Sequence, residues 1–280
     1  MERIMLVLNA VRLNEHSVKF ACSLSRLTGS SLTGLFLENI VENEKLTVKN
    51  AYDGTYITIE ADRTSSEFLA KQQSIEQNIL AFNRNCQENG VKPSVLRDER
   101  RPVNEVLKES RFADLMIVDA DMTFKREQDT IPSFFLRKML RSVACPVLVV
   151  PQLYEENIHE IIFAYDGTAS SMFAMRQFTY LFPELSSRKL VVLNTSDREE
   201  AEIMMPLEME EWLQAHYNVF LFEELHGKRL GILLDYLSPI NNAILVIGAY
   251  GRGGVSRLLR ESYADVLLNK IQMPLFIAHR

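Results

Sequence analysis

The chain has 280 residues, of which 47% are hydrophobic and 24% charged, and its formal net charge is -6. That length is too great for one small core and suits two domains of about 140 residues, and the composition excludes a disordered or low-complexity chain. The acidic balance repels phosphate backbones, and Lys and Arg are scattered, so no nucleic-acid partner is expected. The cluster from Arg97 to Arg101 is broken by Asp98 and Glu99 and reads as a solvated loop.

The opening run Met1-Glu2-Arg3-Ile4-Met5-Leu6-Val7-Leu8 lacks the long apolar core and cleavage site of a signal peptide and reads as a buried strand. In the first half, short apolar runs predict strands near 3–9, 31–38, 92–97, 114–119 and 146–150. Their lack of clean alternation is the mark of strands covered on both faces. Between them, Ile75, Ile79 and Phe82, and Leu136, Met139, Leu140 and Val143, follow the spacing of one helix face. The segment Ile40 to Thr64, which contains Asp53-Gly54-Thr55, reads as a surface excursion before a helix running to about Asn89.

The second half repeats the first. Strands are predicted near 160–165, 189–195, 217–223, 243–248 and 274–278. The block from Ala113 through Cys145-Pro146-Val147 has its counterpart from Asn242 through Met273-Pro274-Leu275, with the same order and spacing. Ser17-Val18-Lys19-Phe20-Ala21 likewise resembles Ser170-Ser171-Met172-Phe173-Ala174. The polar, Pro-initiated segment Pro151 to His159 separates the halves, giving domains 1-152 and 158-280. Alternating strands and helices imply two tandem doubly wound parallel α/β sheets of five strands each. In such sheets ligands bind at the carboxyl ends of the strands, where strand order reverses.

Candidate binding residues sit at two such ends. Gly248-Ala249-Tyr250-Gly251-Arg252-Gly253-Gly254 follows the fourth strand of the second half and precedes a helix expected near Ser256. A Gly-rich turn before a helix lets backbone N–H groups approach an anion. Arg252 and Arg257 could add charge, although such turns also serve merely to reverse the chain. Asp166, in Tyr165-Asp166-Gly167-Thr168, closes the first strand; it could accept from ribose hydroxyls or simply cap a helix. Met204, Met205 and Met209 read as core, with Trp212 anchoring a helix that starts near Pro206.

Catalytic signals are lacking. None of the five histidines forms a metal-binding pair or neighbours a nucleophile motif, and Cys22, Cys86 and Cys145 show no metal or disulfide spacing. Isolated thiols fit a reducing compartment, and no apolar stretch approaches membrane-span length, so a cytoplasmic protein is expected.

The whole chain resembles two copies of the universal stress protein domain, of the adenine nucleotide alpha hydrolase-like fold. Gly248 and Gly251 match the first two glycines of that family's G-x2-G-x9-G-[ST] nucleotide motif. Nine residues later stands Glu261-Ser262, which keeps the Ser and replaces the third Gly. Asp166 matches the family Asp, and Thr195 falls near the backbone position that contacts adenine. The resemblance implies strand order 3-2-1-4-5 and a stress-responsive regulatory protein without an enzymatic role. It implies ATP or another adenine nucleotide in the second half, held by Asp166, Thr195, Gly248, Gly251, Arg252, Gly253 and Ser262, with Mg entering only alongside the nucleotide. The alternative is a scaffold that works through protein contacts, which Glu261 favours. In the first half Asn9, Asp119 and Met122 stand where Asp166, Gly248 and Gly251 stand in the second, which implies a lost phosphate site. The family's pairing through last strands implies that the halves pair within one chain, and two chains could further form a homodimer.

Overall fold

The computed structural model describes residues 1–38, 46–50, 57–61, 65–98, 101–124, 131–152, 154, 158–194, 205–225, 229–248 and 261–278. The first half runs β1 (Arg3–Asn9), α1 (Glu15–Thr28), β2 (Ser31–Leu37), β3 (Leu46–Asn50), β4 (Ile57–Ala61), α2 (Ser66–Glu88), β5 (Ser94–Asp98), α3 (Pro102–Glu109), β6 (Leu115–Asp119), α4 (Phe134–Ser142) and β7 (Val147–Val150). The second runs β8 (Glu160–Tyr165), α5 (Ala169–Leu181), β9 (Lys189–Asn194), α6 (Leu207–His216), β10 (Phe220–Glu224), α7 (Arg229–Leu237), β11 (Ala243–Ile247), α8 (Glu261–Lys270) and β12 (Leu275–Ile277).

Ten strands form one sheet in the order β10-β9-β8-β11-β12-β7-β6-β1-β2-β5. Each half is therefore parallel and ordered 3-2-1-4-5 by its own main strands. The halves meet where β12 pairs antiparallel with β7, Phe276 opposite Leu148. Each of these two strands thus covers what would otherwise be an open sheet edge. The hairpin β3–β4 forms a separate two-stranded sheet within the segment read from sequence as a surface excursion.

Helices cover both faces, which is why the strands read as continuous apolar runs. On one face Ile4, Leu6, Phe163 and Phe276 pack with Val18 of α1, Phe82 of α2, Phe178 of α5 and Leu213 of α6. On the other, Met5, Val7, Ile162 and Leu245 pack with Val106 of α3, Leu136 of α4, Leu233 of α7 and Leu267 of α8. Both apolar layers cross the β7–β12 joint without a break. Over the joint, α4 and its counterpart α8 are tied by the Arg137–Asp265 ion pair at 3.1 Å and by Asn269 Nδ2 donating to the Ile131 carbonyl.

Helix starts follow their capping residues. Asn14, Ser65, Ser133 and Thr168 each accept a first-turn N–H through their side chains. Pro206 takes the position just before α6 rather than one in its first turn. Trp212 packs against the apolar layer from α6 while its ring lies 4.6 Å from that of His216.

Candidate functional site

In the second half, β8 and β11 are adjacent and parallel, with Val246 opposite Phe163. Asp166 follows β8 and Gly248 follows β11, so this register brings both to one end of the sheet. The chain moves outward from β8 to β9 and β10 and then returns to β11 on the other side. The gap between β8 and β11 is therefore the point where strand order reverses, the usual position of a ligand crevice in such sheets.

The local jobs of these two residues are visible. Asp166 Oδ1 accepts from the Thr168 N–H at 3.1 Å and the Thr168 hydroxyl at 2.6 Å. Thr168 Oγ1 in turn accepts from the Ser171 N–H at 3.3 Å and starts α5. Gly167, between them, has φ of 76°, a left-handed backbone that a side chain would strain. A Cβ on Gly248 would lie 2.7 Å from Ser170 C and from Ser171 N. The missing side chain at 248 thus lets the first turn of α5 rest on the end of β11. It brings that helix N-terminus, with its partial positive charge, to the crevice. Burial first, and then the Asp166 carboxylate, push the Tyr165 phenol upward.

Asp166 and Gly248 are the two predicted site residues that the structure brings together. Thr195, Gly251, Arg252 and Gly253 lie outside the described residues, as does the helix start expected near Ser256. Ser262 falls in the first turn of the described part of α8, next to Glu261. Among the described residues, a carboxylate and a helix N-terminus therefore stand together at the strand-order reversal.

In the first half the equivalent ends of β1 and β6 frame an open cleft of about 330 Å³, lined among others by Asn9, Arg12, Asn14, His16, Asp119 and Asp121. Asn9 does the same local work as Asp166: its Oδ1 accepts from the N–H two residues on, that of Val11, at 3.0 Å. Its amide also donates to the Thr123 carbonyl at 2.9 Å and so fastens the loop after β6. Ser133 holds that loop from the other side by donating to the Met122 carbonyl.

Asp119 closes β6 at the cleft and is 8% exposed. Its Oδ1 accepts from the Ser17 hydroxyl and from Asn14 Nδ2 at 3.2 Å. Burial first, and the nearby Asp121 carboxylate second, push Asp119 up to about 8 against the smaller opposing effects of Asn14 and Arg12. Asp121 is held by Gln152 Nε2 at 2.6 Å and by Arg12 at 3.4 Å. From sequence, Asn9, Asp119, Asp121 and Met122 stand out only as departures from a phosphate site. The signal for a cleft is their position at the same two strand ends as Asp166 and Gly248.

Among the described residues, no group of three or more His, Cys, Asp or Glu could hold a metal ion. No described helix is long and apolar enough to cross a membrane.

No family model matches the sequence. No curated protein matches it either. The fold does have solved counterparts. A universal stress protein from Archaeoglobus fulgidus DSM 4304 superposes with a TM-score of 0.72 at 15% identity, covering 99% of this chain and 98% of its own. A candidate universal stress protein from Pseudomonas aeruginosa UCBPP-PA14 gives 0.61 at 15% identity, over 100% of this chain and 93% of its own. A functionally unknown protein from Pseudomonas aeruginosa PAO1 gives 0.58 at 16% identity, over 100% and 92%. Two of these three counterparts are described as universal stress proteins, and all three match over nearly their full length. The chain therefore has the fold of a tandem universal stress protein.

Proposed function

We propose that this chain is a regulatory protein of the universal stress type that binds a small ligand, an adenine nucleotide or a close relative, in its second half. The observation that carries the reading is the convergence of Asp166, the start of α5 and Gly248 at the strand-order reversal between β8 and β11. Asp166 would meet the ribose hydroxyls, and Gly251, Arg252, Gly253 and Ser262 would meet the phosphates. Thr195, following β9, would lie toward the base. Mg would enter only with the phosphates. Binding would shift the population toward a partner-competent state, with no chemical step required.

The test is differential scanning fluorimetry of the purified chain with ATP, ADP and AMP, because a ligand selective for the folded state raises its melting temperature. A rise with at least one of them, reduced in Asp166→Ala, supports the reading; no rise with any rejects it.

A second reading, a scaffold acting through protein contacts, is favoured by Glu261 at the start of the described part of α8, where a carboxylate would repel phosphates. Partners that copurify with a chain insensitive to nucleotides would support it.

A further inference from the structure

Two of the three cysteines meet in the first half. Cys22 lies in the middle of α1 and Cys86 in the last turn of α2, 64 positions further along the chain. Where these helices pack together over one face of the sheet, the two sulfurs stand 3.5 Å apart, and both side chains are fully buried in that apolar layer. Cys145 belongs to the layer on the other face. A disulfide holds its sulfurs about 2.05 Å apart, so about 1.5 Å of approach separates this contact from a bond. Small rotations about the two Cα–Cβ bonds divide that approach between them.

The pair is asymmetric. The hydrogen bond with Cys86 pulls the Cys22 thiol below its ordinary range, burial opposes this, and the Arg26 guanidinium one turn further along α1 adds a smaller downward pull. The same hydrogen bond, with burial behind it, pushes Cys86 up. The thiolate is the nucleophilic form, so Cys22 is the sulfur suited to attack and Cys86 the one suited to follow. Access comes from the end of α2. The turn that holds Cys86 closes at Glu88, and the chain then passes through Gly90 in a left-handed conformation with φ of 71°. Helix ends open locally at a fraction of the cost of global unfolding. Such openings admit a molecule as small as hydrogen peroxide and exclude a bulky aromatic reagent such as Ellman's.

We propose that Cys22 and Cys86 are a reversible redox pair, which a small peroxide closes into a disulfide in the folded chain. This reaction does not depend on the nucleotide crevice proposed for the second half. The Cys22 thiolate attacks one peroxide oxygen and the O–O bond breaks, leaving Cys22 as a sulfenic acid and releasing hydroxide, which takes up the thiol's proton as water. The Cys86 thiol then attacks the Cys22 sulfur. The S–S bond forms, the S–O bond breaks, and the hydroxyl departs as water with the Cys86 proton. Two thiols and one peroxide thus become one disulfide and two waters, with two electrons passing to the peroxide oxygens. The new bond ties α1 to α2. Both helices also bond to strand ends at the first-half cleft: Ser17 of α1 donates to Asp119, and Asn78 of α2 donates to the Ala10 carbonyl beside Asn9. Oxidation therefore stiffens the frame of that cleft.

The experiment exposes the folded, reduced chain to millimolar hydrogen peroxide, stops the reaction with catalase, unfolds the chain in acidic denaturant and counts free thiols. The expected count falls from three to one and returns to three with dithiothreitol. A protease digest run without reductant should join the peptide carrying Cys22 to the one carrying Cys86. Cys22→Ser should keep both remaining thiols through the same exposure, and Cys86→Ser should form no link. Three thiols surviving an exposure that oxidises the unfolded chain overturns the proposal. So does a link that involves Cys145, or a loss of thiol in Cys22→Ser equal to that of the unaltered chain. A melting scan confirms that each variant is folded, and the count and digest of the unaltered chain stand without them.

Discussion

Gly248 rests against Ser170: a Cβ at position 248 would stand 2.8 Å from the Ser170 carbonyl oxygen. The sequence offers Gly248 as the first glycine of a phosphate-binding turn, yet its immediate structural task is to let α5 begin flush against β11. The neighbour is backbone and cannot swing aside as a flexible side chain would. Gly248→Ala should therefore destabilise the chain by about 1–3 kcal/mol, whether or not a ligand is present. Urea unfolding monitored by Trp212 fluorescence measures this.

Asp119 gives a pH signature. Its carboxyl titrates near the ordinary 3.8 when the chain is unfolded and at about 8 when folded. The folded state thus holds the extra proton between these values, and stability falls as pH rises from about 4 to about 8, then stays level. A tenfold change in proton affinity is worth about 1.4 kcal/mol, so the loss across the window is a few kcal/mol. Asp119→Asn should remove this slope and gain on the unaltered chain as pH increases. Denaturant midpoints collected across that window test it.

The joint between the halves depends on Phe276, which is fully buried in β12 with its ring 5.2 Å from Phe178. Phe276→Ala should cost about 3–5 kcal/mol through lost burial and the cavity it leaves. Because both apolar layers continue across the β7–β12 joint, unfolding should remain a single transition. Calorimetry distinguishes this from separate melting of the two halves.

The three cysteines are buried, Cys22 and Cys86 with their sulfurs 3.5 Å apart, and burial above all pushes the Cys145 thiol up to about 12. All three should resist thiol reagents in the native chain and react on unfolding, which timed labelling with Ellman's reagent reads directly. Their proximity is not legible in the sequence, since a contact between residues 22 and 86 arises only when α1 packs on α2.

Other features are more legible. The run from Ile4 to Leu8 and its repeat from Ile161 to Tyr165 mark buried strands because both faces of the sheet are covered. The β3–β4 hairpin is not part of the sequence expectation, although Leu46-Thr47-Val48 and Ile57-Thr58-Ile59 alternate around Asp53-Gly54, a recognised hairpin pattern. At the site, the matching positions of Asp166 and Asn9 are readable, whereas their shared turn geometry is not, because Asp and Asn can equally accept that N–H. The first-half cleft is hidden in the sequence because its lining residues read there only as departures from a phosphate motif.

Calorimetric titration of ATP into the unaltered chain, Asp166→Ala and Asp119→Asn puts the nucleotide reading to its sharpest test. The expected result is saturable binding by the unaltered chain and by Asp119→Asn, with weakened binding by Asp166→Ala. A chain that takes up no ATP, or one in which Asp166→Ala binds as tightly as the original, contradicts it.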